Sequence, residues 1–285
     1  MSPDSGPAPY SRTAPSTPPS APGRPAFSID ADGVGFSVGK GKDRLRILHD
    51  VSFHARSGEF IGLLGPNGSG KTTFLKRLAG MLPGDGEISL DGRPQAEYKV
   101  RELARLVSFL HQDTRVPFSF TAREVVGMGR HPYSNGLSAS EGEADRRAVE
   151  KSLRDAGCAD YADKPVTTLS AGERQRVMIA RVLAQETPLV LLDEPTSNLD
   201  VLHASETFDL LRDLAHDQGR CVVAVMHDLR AAAKYCTRNL LMYRGTVVAD
   251  GEPEEVLHEG HVAYVFEVPA RTFRNPAGEW DYYIL

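Results

Sequence analysis

One short glycine-rich segment restricts the fold of this 285-residue chain more than any other feature. Residues 65–72 read GPNGSGKT, directly after the strand-like run FIGLL at 60–64 and before a helix-like stretch at 72–79. The pattern G-x-x-x-x-G-K-[ST] between a strand and a helix is typical of a phosphate-binding loop, because glycines let backbone N–H groups turn inward around phosphate oxygens. The segment therefore predicts an α/β fold with a nucleotide site at the end of a strand.

The residues of this segment have separate expected roles. Lys71 reaches the β and γ phosphates, the hydroxyl of Thr72 ligates Mg²⁺, and the positive end of the following helix attracts the phosphates. We expect ATP and Mg²⁺ as the bound cofactors. The predicted nucleotide-binding set comprises Gly65, Pro66, Asn67, Gly68, Ser69, Gly70, Lys71, Thr72 and Thr73.

A second hydrophobic run ends in two carboxylates. Residues 189–192 read LVLL and are followed by Asp193 and Glu194. A buried strand that ends beside the phosphate-binding loop places Asp193 where it holds Mg²⁺ and Glu194 where it polarises the attacking water. Two acids can also simply cap a strand end, but the loop upstream favours the nucleotide site.

The rest of the chain alternates between strand-like and helix-like stretches, as in an α/β domain. The strand-like runs lie at 47–54, 60–64, 106–110, 189–192 and 221–226, and the helix-like ones at 72–79, 144–156, 171–184 and 203–217. Strand signals stop around 113–168, which predicts a helical subdomain inserted into the α/β body. Residues 1–26 are rich in Pro, Ser and Ala and predict a disordered tail. The ATPase domain is expected at 27–268 and a C-terminal extension at 269–285.

Residues 169–176 read LSAGERQR, which resembles the LSGGQ-type signature of ABC-transporter ATPases. The sequence departs from the commonest form with Ala171 in place of Gly and Glu173 in place of Gln. The resemblance implies a P-loop NTPase fold of the ABC type, a mixed sheet with an antiparallel β part and the helical insertion. It also implies a head-to-tail homodimer with two ATP molecules in its interface, in which Ser170 and Gly172 bind the γ-phosphate held by the partner.

Other positions fit the same family in order and spacing. Gln112 looks like the glutamine that touches Mg²⁺ and water and links ATP to the membrane subunits. Residues 197–200 read SNLD and resemble the loop through which Asp200 contacts the opposite site. His227 looks like the histidine that bonds the γ-phosphate, so Glu194, His227 and Gln112 form the expected catalytic set. Taken singly, these residues also fit a polar loop, a helix cap and a strand end.

The family usually stacks adenine on an aromatic residue before the first core strand, and Val38 occupies that register here. We therefore expect apolar packing of adenine by Val38 and modest base selectivity.

The stretch after Gln112 resembles the iron-siderophore, cobalamin and haem importer branch of the family. Residues 118–130 read FSFTAREVVGMGR and are followed by His131 and Pro132. This sequence looks most like that of haemin importer ATPases. Pro117, Phe118 and Phe120 are expected to form an apolar socket for a helix of the membrane permease, or alternatively the core of the helical subdomain. The predicted function is ATP hydrolysis that powers haem import, with ferric-siderophore or cobalamin import as the alternative.

Composition agrees with a peripheral subunit. Lys and Arg number 33 against 38 Asp and Glu, so the net charge of −5 gives no sign of a nucleic-acid partner. No apolar run is long enough for a membrane helix and no signal peptide is evident. We expect a protein at the cytoplasmic face of the cell membrane that works with a separate polytopic permease and, indirectly, a substrate-binding protein.

Two rival classes are disfavoured by the sequence. Soluble ABC ATPases of translation or DNA repair usually carry two nucleotide domains or a coiled-coil insertion. A regulatory module without turnover would not need Lys71, Asp193, Glu194 and His227 together.

The three cysteines match no zinc or redox spacing and are expected to be small buried hydrophobic residues. Trp280, Tyr282 and Tyr283 predict a final strand or a packed edge.

Overall fold

The computed structural model describes residues 26–39, 41, 44–112, 119–134 and 142–285. The strands in these ranges are β1 Ser28–Val38, β2 Leu45–Arg56, β3 Phe60–Leu64, β4 Glu87–Leu90, β5 Arg93–Pro94, β6 Val107–Leu110, β7 Leu189–Asp193, β8 Cys221–Val225, β9 Arg238–Tyr243, β10 Thr246–Gly251, β11 Ala270–Arg274 and β12 Trp280–Ile284. The helices are α1 Lys71–Leu78, α2 Val100–Leu103, α3 Ala122–Gly127, α4 Glu143–Asp155, α5 Ala171–Ala184, α6 Val201–His216, α7 Leu229–Tyr235, α8 Pro253–Val256 and α9 Glu259–Phe266.

A six-stranded sheet forms the centre of the protein, in the order β10-β9-β3-β8-β7-β6. Its strands run parallel except for β10, which pairs antiparallel with β9. All residues of β3, β7 and β8 are buried, as continuous aliphatic strands require when both faces of a sheet are covered. The prediction of an α/β fold with a mixed sheet is confirmed.

A second sheet is antiparallel, in the order β2-β1-β4-β5. Helix α1 lies in the apolar core shared by the two sheets, where the ring of Phe74 meets that of Phe53 edge-on with centroids 5.6 Å apart. The helix that follows the phosphate-binding loop is thus packed from both sides, which fixes its position relative to β3.

Between β6 and β7 the described elements are helical. Helices α3, α4 and α5 pack together through Val126, Leu153 and Val177, which are buried in the larger core cluster. Thr121 starts α3 with a capping box, since its side chain accepts from Glu124 N and the Glu124 carboxylate accepts from Thr121 N. Residues 113–118 and 135–141 of the predicted insertion and residues 1–25 of the predicted tail lie outside the described residues.

The chain ends in a two-stranded sheet, β11 and β12, which packs on α7 and α9. Trp280 and Tyr282 pack against the main core, and Tyr282 O accepts from Arg230 of α7 at 3.0 Å. This confirms the predicted final strand. The three cysteines are buried and free, as expected. No helix in the described part of the chain is long and apolar enough to span a membrane.

Candidate active site

Parallel strands bring the predicted site residues to one edge of the central sheet. Leu110 pairs with Leu192, and Val225 lies opposite both Asp193 and Leu63. The segments after β3, β6, β7 and β8 therefore start at the same level. Their residues meet at the carboxyl ends of the strands, where ligands bind in α/β sheets.

The phosphate-binding loop packs closely against β9. Gly65 has a φ of 140°, and a Cβ atom there would lie 2.1 Å from Met242 O, so glycine is required for this close approach. The Nζ of Lys71 donates to Gly65 O at 2.8 Å and to Pro66 O at 2.9 Å. Burial lowers the pKa of Lys71, while the nearby charges of Glu194 and Asp193 act in the opposite direction.

The loop is chemically suited to phosphate. The Oγ of Ser69 is buried and has no hydrogen-bond partner among the described residues. Gly70 starts α1 without a side-chain cap from that part of the chain, so the first N–H groups of the helix are not satisfied by a capping side chain. A buried ammonium, a buried hydroxyl and helix N–H groups are the donors that a phosphate group needs.

A hydroxyl and a carboxylate lie together beside the loop. Thr72 Oγ1 donates to Asp193 Oδ1 at 2.9 Å, and Asp193 is only 2% exposed. Burial raises the pKa of Asp193, although the bond from Thr72 lowers it. Hard oxygen ligands of this kind fit Mg²⁺, which keeps several waters and takes further ligands from nucleotide phosphates. Within the described ranges, no group of three or more His, Cys, Asp or Glu could hold a metal by itself.

Glu194 is the centre of the predicted catalytic set. Its Oε1 lies 2.7 Å from His227 Nε2, and its Oε2 accepts from Gln112 Nε2 at 3.0 Å. The structure thus brings together three residues that are separated by up to 115 positions in the sequence. Glu194 has a φ of 54°, a strained conformation for a non-glycine residue, and such strain concentrates at functional sites.

Ser170 and Asp200 lie at helix starts. The hydroxyl of Ser170 accepts from Glu173 N and its own N–H donates to the Glu173 carboxylate, which forms a capping box for α5. Asp200 caps α6 by accepting from His203 N at 2.9 Å. Among the described residues, the two side chains hydrogen-bond only within their own helix starts. Both residues are exposed, so each could face a partner.

The predicted adenine and permease contacts lie apart from this cluster. Val38 ends β1 with 44% of its surface exposed, opposite the exposed Leu45. Phe36 instead packs against the core between two register shifts of β1. Phe120 is at the surface, whereas Pro117 and Phe118 lie outside the described residues.

Sequence reasoning missed the turn between β9 and β10. Gly245 N donates to Ser69 O at 3.0 Å, and Gly245 O accepts from His49 N at 2.9 Å, so this turn joins the phosphate-binding loop to β2. A cavity of about 290 Å³ lies between the loop, this turn and residues 265–267, and Tyr243 OH donates to Glu267 across it at 2.5 Å. A glycine between two short apolar runs, LLMY at 240–243 and VVA at 247–249, is the signal that could have identified the turn.

Comparison with known proteins identifies the family. Residues 48–197 match the family model described as ABC transporter. The chain belongs to the ABC transporter family. A hemin import ATP-binding protein HmuV from Plesiomonas shigelloides is 40% identical over 82% of this chain and 94% of its own length. A cobalamin import ATP-binding protein BtuD from Halobacterium salinarum is 39% identical over 81% of this chain.

Some relatives are much longer than this ABC protein. The chain spans 58% of that BtuD and 52% of the uncharacterized ABC transporter ATP-binding protein YvrA from Bacillus subtilis, to which it is 40% identical.

Solved structures agree with the family. An inward-facing putative metal-chelate type ABC transporter matches with a TM-score of 0.75 and 26% identity, covering 91% of this chain and 97% of that chain. The dimeric ATP-binding cassette MJ0796, bound to ADP and Pi, matches with a TM-score of 0.72 and 28% identity over 79% of this chain and 98% of that chain. ABC ATPases bind ATP with Mg²⁺ and hydrolyse it, and this chain carries their cassette.

Proposed function

We propose that this chain is the ATP-hydrolysing subunit of an ABC importer, and that the imported compound is haem. The observation that carries the ATPase assignment is the Glu194 carboxylate, which bonds both Gln112 and His227 beside the Thr72–Asp193 pair. Haem as cargo is supported by the several HmuV relatives at about 40% identity. Cobalamin is the second candidate, because BtuD relatives are about as similar.

The residues of the site divide the work of phosphoryl transfer. Lys71, the loop N–H groups and the Ser69 hydroxyl bind and orient the phosphates and neutralise charge that develops in the transition state. Thr72 and Asp193, with Gln112, would hold Mg²⁺, which supplies further neutralisation of the phosphate oxygens when bound.

The carboxylate of Glu194 orients water and accepts its proton. His227 and Gln112 fix the two oxygens of that carboxylate, so the remaining lone pairs of these oxygens are already oriented before the attacking water binds. Val38 would pack against adenine from the edge of the antiparallel sheet.

The working form is proposed to be a head-to-tail homodimer. Ser170 and Gly172 at the start of α5, with Asp200 at the start of α6, would complete the ATP site of the partner subunit. Dimer closure would then move a separate polytopic permease, for which Phe120 is part of the docking surface. With that partner, the protein would lie at the cytoplasmic face of the membrane. A substrate-binding protein would deliver the cargo.

Glu194→Gln tests the ATPase assignment. Losing the general base lowers turnover by about 10²–10⁴-fold, whereas binding remains, so ATP and Mg²⁺ should convert the variant into a stable dimer seen by size-exclusion chromatography with light scattering. Glu206→Gln, an exposed position on α6, is the matched control and should hydrolyse ATP like the wild type. A Glu194→Gln variant with native turnover would refute the role of Glu194.

A second experiment tests the cargo. The membrane permease that co-purifies with the chain is co-expressed with it, and ATP hydrolysis of the reconstituted complex is measured with a binding protein loaded with hemin, cyanocobalamin or a ferric siderophore. Stimulation by hemin alone supports haem import. Stimulation by cyanocobalamin or the siderophore instead would reassign the cargo.

A further inference from the structure

One amide side chain in α5 is fully buried next to the active site. Gln175 donates from Nε2 to Pro195 O at 2.8 Å, and Asn198 Nδ2 approaches Gln175 Oε1 at 3.5 Å. A buried amide is retained where its hydrogen bonds are made, and it fixes the groups it joins. Gln175 therefore ties the start of α5 to the segment after β7.

The groups on the two sides of this contact have different proposed partners. Pro195 directly follows Glu194, which acts on the ATP of its own subunit. Ser170 and Gly172, at the start of α5, act on the ATP of the other subunit. Gly172 also lies close to the segment after β7, because a Cβ atom there would be 3.2 Å from Asn198 O.

We propose that Gln175 is a positioning residue that couples the two ATP sites of the dimer. This inference rests on the proposed function. When Glu194 and Pro195 shift as their own ATP site closes, the amide carries that shift to the first turn of α5 and so to the site across the interface. Coupling of this kind travels through packed and hydrogen-bonded contacts between the two sites. The buried amide of Gln175, which is hydrogen-bonded to Pro195 O, is such a contact.

The same helix provides a matched control. Gln185, at the other end of α5, donates from Nε2 to Ala104 O at 2.6 Å and to Val107 O at 3.0 Å. It has the same chemistry and also bonds backbone carbonyls of the core. However, it lies near the start of β6 and β7, at the edge of the sheet opposite Glu194. Its loss should destabilise the fold without changing communication between sites.

The experiment compares Gln175→Met with Gln185→Met, since methionine keeps the length of the side chain and removes its donor. Three quantities are measured: Tm, the ATP affinity of dilute monomer, and the Hill coefficient of ATP hydrolysis by the dimer. We expect both variants to lower Tm by about 2–4 °C. We expect a wild-type Hill coefficient of about 2, the number of ATP sites in the dimer, and a coefficient of about 1 in Gln175→Met. The affinity of the monomer for ATP should be unchanged in this variant. In Gln185→Met it should stay at the wild-type value.

Equal Hill coefficients in the two variants would overturn the proposal, as would a wild-type coefficient of 1. If Gln175→Met does not fold, Asn198→Ala removes the second contact of Gln175 by a change at an exposed position. An unchanged Hill coefficient in Asn198→Ala would also overturn the proposal. Failure of the proposed function looks different. In that case Glu194→Gln forms no ATP-dependent dimer, whereas failure of the coupling alone leaves that dimer intact.

Discussion

The turn between β9 and β10 offers a quantitative test of how the phosphate-binding loop is supported. Gly245 has a φ of 78°, and a Cβ atom there would lie 2.2 Å from Ile47 O. Gly245→Ala therefore meets two penalties. The left-handed backbone costs about 1–2 kcal/mol for an alanine, and displacing the neighbouring strand costs about 1–3 kcal/mol. Together they lower the free energy of unfolding by about 2–5 kcal/mol.

Gly58→Ala is the matched control for this change. Gly58 has a φ of 89°, and a Cβ atom there would have no neighbour within 4 Å. This variant carries the backbone penalty alone, about 1–2 kcal/mol. The difference between the two variants therefore isolates the displacement of β2 and of the loop.

Both variants are measured by urea unfolding and by calorimetric titration with ATP and Mg²⁺. Gly245→Ala disturbs the bond from Gly245 N to Ser69 O, and a hydrogen bond is worth about 0.5–1.5 kcal/mol, so ATP binding should weaken about two- to tenfold. Gly58→Ala should bind ATP normally. Equal losses of stability in the two variants, or normal ATP binding by Gly245→Ala, would refute the view that this turn supports the loop.

Two further predictions concern buried charges. The Arg238 side chain is 8% exposed and pairs with Glu59 and Asp250, so Arg238→Met removes a cation from between two largely buried carboxylates and should cost about 3–5 kcal/mol in urea unfolding. A loss below about 1 kcal/mol, typical of a surface pair, would contradict this. Burial raises the pKa of Asp193, so its charged carboxylate destabilises the nucleotide-free fold at neutral pH, and this unfavourable contribution decreases as pH falls toward about 4. Asp193→Asn should therefore raise the Tm of the nucleotide-free protein at neutral pH and remove most of the further rise in Tm that ATP and Mg²⁺ give. Thermal scans with and without ATP and Mg²⁺ test both effects. A nucleotide-free Tm below that of the wild type would contradict the expected stabilisation.

Local chemistry explains which parts of the fold could be predicted. The strand, loop and helix at residues 60–79 follow from an apolar run, glycines and a helix-forming stretch, all within twenty residues. The helix at residues 171–184 was predicted at its observed bounds, and Ser170 and Glu173 have the spacing of a capping box.

Contacts between distant segments explain what could not be predicted. The sequence shows no reason for Gly245 to bond Ser69, because that contact depends on β9 lying beside β3 in the central sheet. The grouping of Gln112, Glu194 and His227 was expected from the resemblance to a family and not from spacing. The bonds that join their side chains, and the left-handed conformation of Glu194, require the folded sheet.

The contacts of Gln112 and His227 with the Glu194 carboxylate also depend on the alignment of the strands in the central sheet. Each residue follows a different strand, so sliding β6 or β8 against β7 would separate atoms that now lie 2.7–3.0 Å apart. The imidazole of His227 can therefore serve as a spectroscopic reporter, because the NMR signal of this ring depends on the alignment of β8 with β7.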